Sequence, residues 1–177
     1  RTFGKDDAQD IDLTKRHSEI LNQIKNKQPF FVFFDYNKIA LKLQPLVIKK
    51  YTDFSEEYFQ KKDENLKNYT GLLQESADYL ENILEKIKEL GLYDNSLIFI
   101  FSDHGSSVGD RVGEKVYGVY LYDYTIKCFV YCIGKDFPNG LEIKSVARHI
   151  DIMPTILDIL KIQPKNTYKE MQGKSLL

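Results

Sequence analysis

Apolar positions along the chain follow two rhythms, one helical and one strand-like. Between Asp6 and Asn26, Ile11, Leu13, His17, Ile20, Leu21 and Ile24 approximate one helical face, with acids clustered at the front. Gln28-Pro29 ends that pattern. Phe30-Phe31-Val32-Phe33-Phe34 follows, five apolar residues in a row. A run apolar on both faces predicts a strand in a parallel sheet covered by helices on each side. Asp35 to Lys50 passes from polar to apolar with Pro45 inside it and reads as a loop. Thr52-Asp53 predicts the cap of a short helix through Glu56, Glu57 and Tyr58.

The strongest helical signal runs from about Glu64 to Leu90. Leu66, Tyr69, Leu73, Ser76, Leu80, Ile83, Leu84, Ile87 and Leu90 keep helical spacing. Lys86 and Lys88 sit near the end, where the helix dipole favours cations, and Gly91 is the expected C-cap. Leu92 to Asn95 turns into the strand Ser96–Phe101. Two doubly apolar strands joined by a long helix predict a right-handed β–α–β unit with Phe30–Phe34 and Ser96–Phe101 parallel. Ser102-Asp103-His104-Gly105 opens a polar, glycine-spaced loop to about Tyr120. The strand Ile126–Ile133, a turn at Asp136–Gly140 and a helix around Met153–Leu160 complete the pattern. Pro154 fits the first turn of that helix, with Asp151 in front as its cap.

Composition narrows the class. The 177 residues are 42% hydrophobic and 13% aromatic, enough to bury a core as one domain, and no linker or internal repeat divides them. No apolar run approaches the roughly 18 residues of a membrane span. Charge is balanced, 25 Lys plus Arg against 26 Asp plus Glu, so there is no electrostatic footprint for nucleic acid. Cys128 and Cys132 fall on one face of the predicted strand, roughly 13 Å apart, and read as core thiols rather than a disulfide. The start at Arg1 rather than Met points to a fragment or a cleaved product.

Candidate chemistry gathers after the strand Ser96–Phe101. Ligands bind off the carboxyl ends of strands in open α/β sheets, and Asp103-His104 offers a hard oxygen and an imidazole nitrogen there. Adjacent residues leaving a strand can face opposite sides, so the pair can serve two neighbouring metal sites. Two readings stay open on spacing alone: metal ligands, or a capping aspartate beside a surface histidine. Gly105 lets the backbone turn close to the site. Gly109-Asp110, Gly113-Glu114-Lys115 and Gly118 make a flexible loop in which Lys115 either binds an oxyanion as a point charge or is a solvated lysine. His149 reads as a helix-start histidine without chemistry. Asn68-Tyr69-Thr70 fits the glycosylation pattern but falls inside the long helix, as a chance match.

The ordered series Ser102-Asp103-His104-Gly105, Leu121-Tyr122-Asp123, Ile150-Asp151-Ile152-Met153-Pro154-Thr155-Ile156-Leu157-Asp158 and Gly173-Lys174-Ser175-Leu176-Leu177 resembles the C-terminal half of the sulfatase family in the alkaline phosphatase superfamily. Pro29-Phe30-Phe31-Val32-Phe33 resembles that family's strand before its substrate loop. The resemblance implies an α/β fold with helices on both faces of a mostly parallel sheet, and residues 1–177 as a single, incomplete C-terminal portion of such a domain. It implies a divalent metal (Ca, Zn or Mn) on Asp103 and His104, and Lys115 as the catalytic lysine on the transferred oxyanion, with Arg111 a weaker competitor. The implied substrate is a sulfate or phosphate ester.

Two departures stand out. Neither cysteine lies in the family's C-x-P-x-R setting, so the nucleophile is missing, and Asp35 to Ala40 lacks the histidine that often follows the Pro-Phe-Phe strand. In-line attack needs a positioned nucleophile, which a lysine contact alone does not supply. The chain alone is therefore expected to be inactive. Two further classes remain open, a phosphoryl or phosphoglycerol transferase and a non-catalytic binding domain that retains the fold.

Overall fold

A computed structural model describes residues 11–49, 56–117, 120–135, 137, 139–163 and 171–177. The front of the first predicted helix, the Thr52-Asp53 cap, Gly118, Asp136 and Pro138 lie outside the described residues. The elements are α1 (Leu13–Ile24), α2 (Lys38–Lys49), α3 (Glu57–Gln60), α4 (Lys62–Glu89), β1 (Ile98–Phe101), α5 (Asp123–Ile126), β2 (Val130–Ile133) and α6 (Ile152–Ile159). Short 3-10 turns at Tyr93–Asn95 and His149–Asp151 lead into β1 and α6.

Local chemistry sets the helix ends. Asp12 caps α1 by accepting the Lys15 N–H at 2.9 Å. α4 ends in a Schellman motif: Gly91 at φ +66° donates to the Lys88 carbonyl, and Leu92 donates to that of Ile87. Residues 38–49, expected as a loop because of Pro45, form α2. Ile39 and Leu43, one turn apart, share a face of that helix, and it packs on α4 with a Lys42–Glu75 ion pair of 2.7 Å.

The core sits where α1 crosses α4. Leu21, Tyr79 and Ile83 are buried there, ringed by Leu13, Ile24, Phe34, Tyr36, Leu80, Ile87 and Leu90. Burying a Leu or Ile side chain contributes about 1.5–3 kcal/mol each. The C-terminal half of α4 packs the face read from sequence, through Leu80, Ile83, Ile87 and Leu90, and adds Tyr79, whereas Leu66 and Leu73 of that face are exposed. Tyr79 reaches the core because its hydroxyl finds a partner there, the Nδ1 atom of His17 at 2.7 Å.

The sheet differs from expectation. It has two described strands, and β1 pairs with β2 antiparallel, Ile98 opposite Ile133 and Phe101 opposite Val130. Phe30–Phe34 is extended but joins no backbone ladder among the described residues. It nevertheless runs beside β1 in the same direction, with Gln28 Oε1 at 3.5 Å from Asn95 Nδ2 and the Phe33 ring 6.4 Å from that of Phe101. One side of the segment is packed, Phe34 stacking on His17 with centroids 4.4 Å apart. The other side is open, Phe31 being 75% and Phe33 66% exposed. Among the described residues, the mostly parallel sheet with helices on both faces is thus reduced to an antiparallel pair and an unladdered neighbour.

Ile126 belongs to α5 rather than to a strand, so β2 starts four residues later than expected. Cys128 precedes it and is exposed, which corrects its reading as a core thiol; Cys132 is half-buried, and burial pushes its thiol pKa up. Asp151 does not cap α6. Its carboxylate instead accepts the Arg148 and Lys174 N–H groups at 2.8 and 2.9 Å. The Lys174 N–H, followed by the Arg148 contacts, holds its pKa below the usual carboxylate range. The terminal strap thereby clasps α6, and Leu176 N–H adds a bond to Thr155 Oγ1 at 3.1 Å. Gly173 is required there, because a Cβ at that position would collide with the Ile150 carbonyl.

Candidate functional site

Asp103 and His104 leave the carboxyl end of β1. The strand is fastened there by Ser102, whose N–H donates to the Phe129 carbonyl and whose hydroxyl accepts the Phe129 N–H, both at 3.3 Å. Asp103 is exposed, and its Oδ1 accepts the His104 N–H at 2.8 Å, a contact to the next residue rather than a helix cap. The other oxygen is turned to its neighbour: Oδ2 lies 3.5 Å from His104 Nε2. The two side chains therefore converge and do not diverge to opposite sides of the strand. His104 Nδ1 lies 2.8 Å from the Gly105 carbonyl. A carbonyl only accepts, so Nδ1 carries a proton, and the neutral tautomer compatible with this contact is the one whose lone pair is at Nε2.

The surroundings fix this corner. Tyr117 packs on the His104 ring with centroids 4.1 Å apart. Tyr69 of α4 lies close enough that burial, and then the Asp103 charge, push its hydroxyl pKa up. Gly105 donates its N–H to Thr125 at 2.9 Å, and a Cβ there would collide with the Tyr124 carbonyl. The glycine is thus needed for the close approach of the α5 segment. His149, given no role by sequence, donates from Nε2 to the Ser102 carbonyl at 2.7 Å and ties the start of α6 to the end of β1. The sequence signal for that tie was only the proximity of His149 to the α6 start.

The glycine-spaced loop is fastened, not free. Asn65 of α4 donates to the Tyr58 and Val108 carbonyls at 2.8 and 3.1 Å. Lys62 pairs with Asp110 at 2.8 Å. Burial raises the pKa of Asp110, but the hydrogen bonds from Lys62 and the Val108 N–H outweigh it and leave it below the usual range. Lys115 is buried, 4% exposed, with its ammonium 5.8 Å over the Tyr58 ring; this replaces the solvated-lysine reading. Arg111 is exposed, its guanidinium 4.4 Å over the ring of Tyr122. Tyr117, which packs on the His104 ring, follows Lys115 by two residues, so the loop that carries Lys115 returns to the end of β1. Glu114, given no role by the sequence, is fully buried next to Lys115 in the chain. Among the described residues, no third His, Cys, Asp or Glu joins Asp103 and His104, and no helix is long and apolar enough to cross a membrane.

A strand ending in Asp-His-Gly, a fastened loop with a buried lysine and a glycine strap on α6 are the features around which the family comparison falls. The chain belongs to the sulfatase family, whose model matches residues 3–162. Arylsulfatase K of Bos taurus is 28% identical over 110 residues, 62% of this chain and 19% of the relative. The low-salt glycan biosynthesis sulfotransferase Agl7 of Haloferax volcanii is 34% identical over 92 residues, 50% of this chain and 23% of the relative. Lipoteichoic acid synthase of Staphylococcus saprophyticus is 29% identical over 163 residues, 86% of this chain and 24% of the relative. The chain thus spans about a fifth to a quarter of the length of the curated relatives it matches.

Proposed function

We propose that these residues are a C-terminal portion of the catalytic domain of a metal-dependent hydrolase of sulfate esters. In this reading Asp103 and His104 hold a divalent cation and Lys115 holds the oxyanion of the ester. The nucleophile comes from polypeptide outside these residues, and Phe30–Phe34 belongs to the domain's larger, mostly parallel sheet.

The observation that carries the reading is the convergence of Asp103 Oδ2 and His104 Nε2 at 3.5 Å. Bonds of about 2.1 Å to one ion, at right-angled to tetrahedral geometry, set two ligand atoms about 3 to 3.5 Å apart. The Gly105 carbonyl on Nδ1 supplies the outer hydrogen bond that a metal-binding histidine needs to fix its tautomer. The donor set fits a divalent ion, and mixed carboxylate and imidazole ligation admits Zn, Mn and Ca to different degrees. Such an ion would supply positive charge against the developing negative charge of the ester oxygens. The chain's own contributions are to orient the two donors from the end of β1, to present the Lys115 ammonium, and to shield both with Tyr58 and Tyr117.

A second reading, transfer of a phosphoryl or phosphoglycerol group, is favoured by one observation. The match to lipoteichoic acid synthase runs over 86% of this chain, against 62% for arylsulfatase K.

The test is Asp103→Ala in the full-length protein, assayed with an aryl sulfate and with a phosphodiester. Metal content and turnover should fall together, turnover by at least about 100-fold, with the melting temperature nearly unchanged. The substrate that is turned over separates the two enzyme readings. Retained metal and turnover with a lost fold would make Asp103 a structural cap and overturn the site. Turnover by the isolated 177 residues would overturn the missing nucleophile.

A further inference from the structure

The two residues flanking Lys115 are both bound to one buried residue, Ser107, one by its backbone N–H and the other by its hydroxyl. Ser107 is 2% exposed. Its N–H donates to the Val116 carbonyl at 2.5 Å, and its hydroxyl donates to the Glu114 carbonyl at 3.1 Å. The same hydroxyl accepts the Gly109 N–H at 3.3 Å, so the serine uses its donor and an acceptor position at once. Lys115 is thus held from both sides of its own backbone by a single residue eight positions earlier.

Glu114 adds a second fastening in the opposite direction. Its side chain is fully buried, and Oε1 accepts the Tyr120 N–H at 3.1 Å. The buried Tyr124 hydroxyl faces this carboxylate, and neither it nor Oε2 has any other partner among the described residues. Burial, with the Glu114 carboxylate next, pushes that hydroxyl up to about 12. An incompletely satisfied carboxylate in the interior is costly, and a packed apolar residue would fill the same space at lower cost. What the carboxylate does here is bind the returning chain at residue 120 to the residue just before Lys115. Gly113, at φ +98°, supplies the turn that brings Glu114 inward.

We propose that Ser107 and Glu114 are positioning residues that set the location of the Lys115 ammonium. This rests on the reading of Lys115 as the oxyanion contact but is testable apart from it. A lysine side chain has about 2 kcal/mol of rotamer entropy to lose, so a fixed backbone on either side is how a loop presents it in one place.

The experiment measures two things in the full-length protein. The first is the acetylation rate of Lys115 by acetic anhydride, read by mass spectrometry against the other lysines. Ser107→Ala and Glu114→Ala should each raise the Lys115 rate about 10-fold while the other lysines keep theirs, because opening is local. Glu114→Gln keeps an oxygen for the Tyr120 N–H and should stay within about twofold. Unchanged Lys115 reactivity in both alanine variants overturns the proposal, as does a rise common to all lysines in both.

The second measurement is competitive inhibition by inorganic sulfate and inorganic phosphate. Ser107→Ala should weaken it about 10-fold in the wild-type background and not at all in a Lys115→Ala background, the coupling expected of groups acting through one another. Equal weakening in both backgrounds overturns the proposal. If Lys115→Ala leaves anion inhibition unchanged while the alanine variants still release Lys115 to acetylation, the positioning stands and the oxyanion role fails.

Discussion

Two buried polar systems, built on opposite logic, divide this chain. In the helical half, His17 of α1 and Tyr79 of α4 meet at 2.7 Å, with Phe34 stacked on the imidazole and Tyr36 stacked on the phenol at 4.4 Å. Each polar atom that enters that core has its partner, and the aromatic bodies contribute apolar area. In the loop half, Ser107 is satisfied, but the Glu114 Oε2 atom and the Tyr124 hydroxyl have only each other to face among the described residues. A satisfied pair between two helices specifies how the helices dock. Incompletely satisfied buried groups next to a buried lysine raise the cost of folding, and such costs cluster where a protein does chemistry. The difference separates residues that hold the fold from residues that shape the site.

Substitutions on each side test that division. Leu21→Ala should have the largest effect on stability. The side chain is buried in the α1–α4 core, and its truncation should cost about 3 kcal/mol in denaturant unfolding. Acetylation of Lys115 should be unchanged under native conditions; a parallel rise would show that the two halves are not separable. Gly105→Ala should cost about 2 kcal/mol, since the added Cβ meets the Tyr124 carbonyl and one segment must shift. Here the site should suffer more than the fold, with metal affinity falling further than the denaturation midpoint. Tyr79→Phe leaves His17 Nδ1 without its partner in the core and should cost about 1–2 kcal/mol, with metal affinity intact.

The helical half was largely legible in the sequence, because amphipathic period and end signals act locally. α1, α4 and the Gly91 cap follow from residues within a few turns of one another. What the period did not reveal was the burial of Tyr79, since an alternation of apolar residues does not show which polar tip will find a partner. Phe30–Phe34 misled for a related reason. Its composition describes a strand covered on both faces, whereas here one side packs, with Phe34 on His17 and the α1–α4 core, and the other leaves Phe31 and Phe33 exposed. Pro45 misled in the other direction, since packing of α2 on α4 outweighs one missing N–H. At the site, Asp103, His104 and Gly105 were legible as a step from apolar strand to short polar residues. Ser107 and Glu114 were not, because their importance lies in contacts across six to nine residues of irregular loop that no periodicity encodes.

The smallest expected effect is a pH dependence confined to the helical half. Burial, followed by the nearby Arg16 charge, lowers the His17 pKa from its ordinary 6.5, and Asp35 opposes this only in part. The groups packed on the imidazole are Phe34 and Tyr79, neither of which changes charge near neutrality, Tyr79 being pushed up to about 12. The folded state therefore holds His17 neutral where the unfolded chain begins to protonate it. Below the unfolded value the unfolded state binds more protons, so this contribution is complete above about pH 6.5 and declines as pH falls from there towards the lowered folded value. Unfolding free energy should show that decline between about pH 6.5 and 5, before carboxylate titration dominates. His17→Gln should lower stability throughout but flatten this segment of the profile. A decline of the same slope in both proteins would assign the titration to another group and remove His17 from the account of how α1 docks on α4.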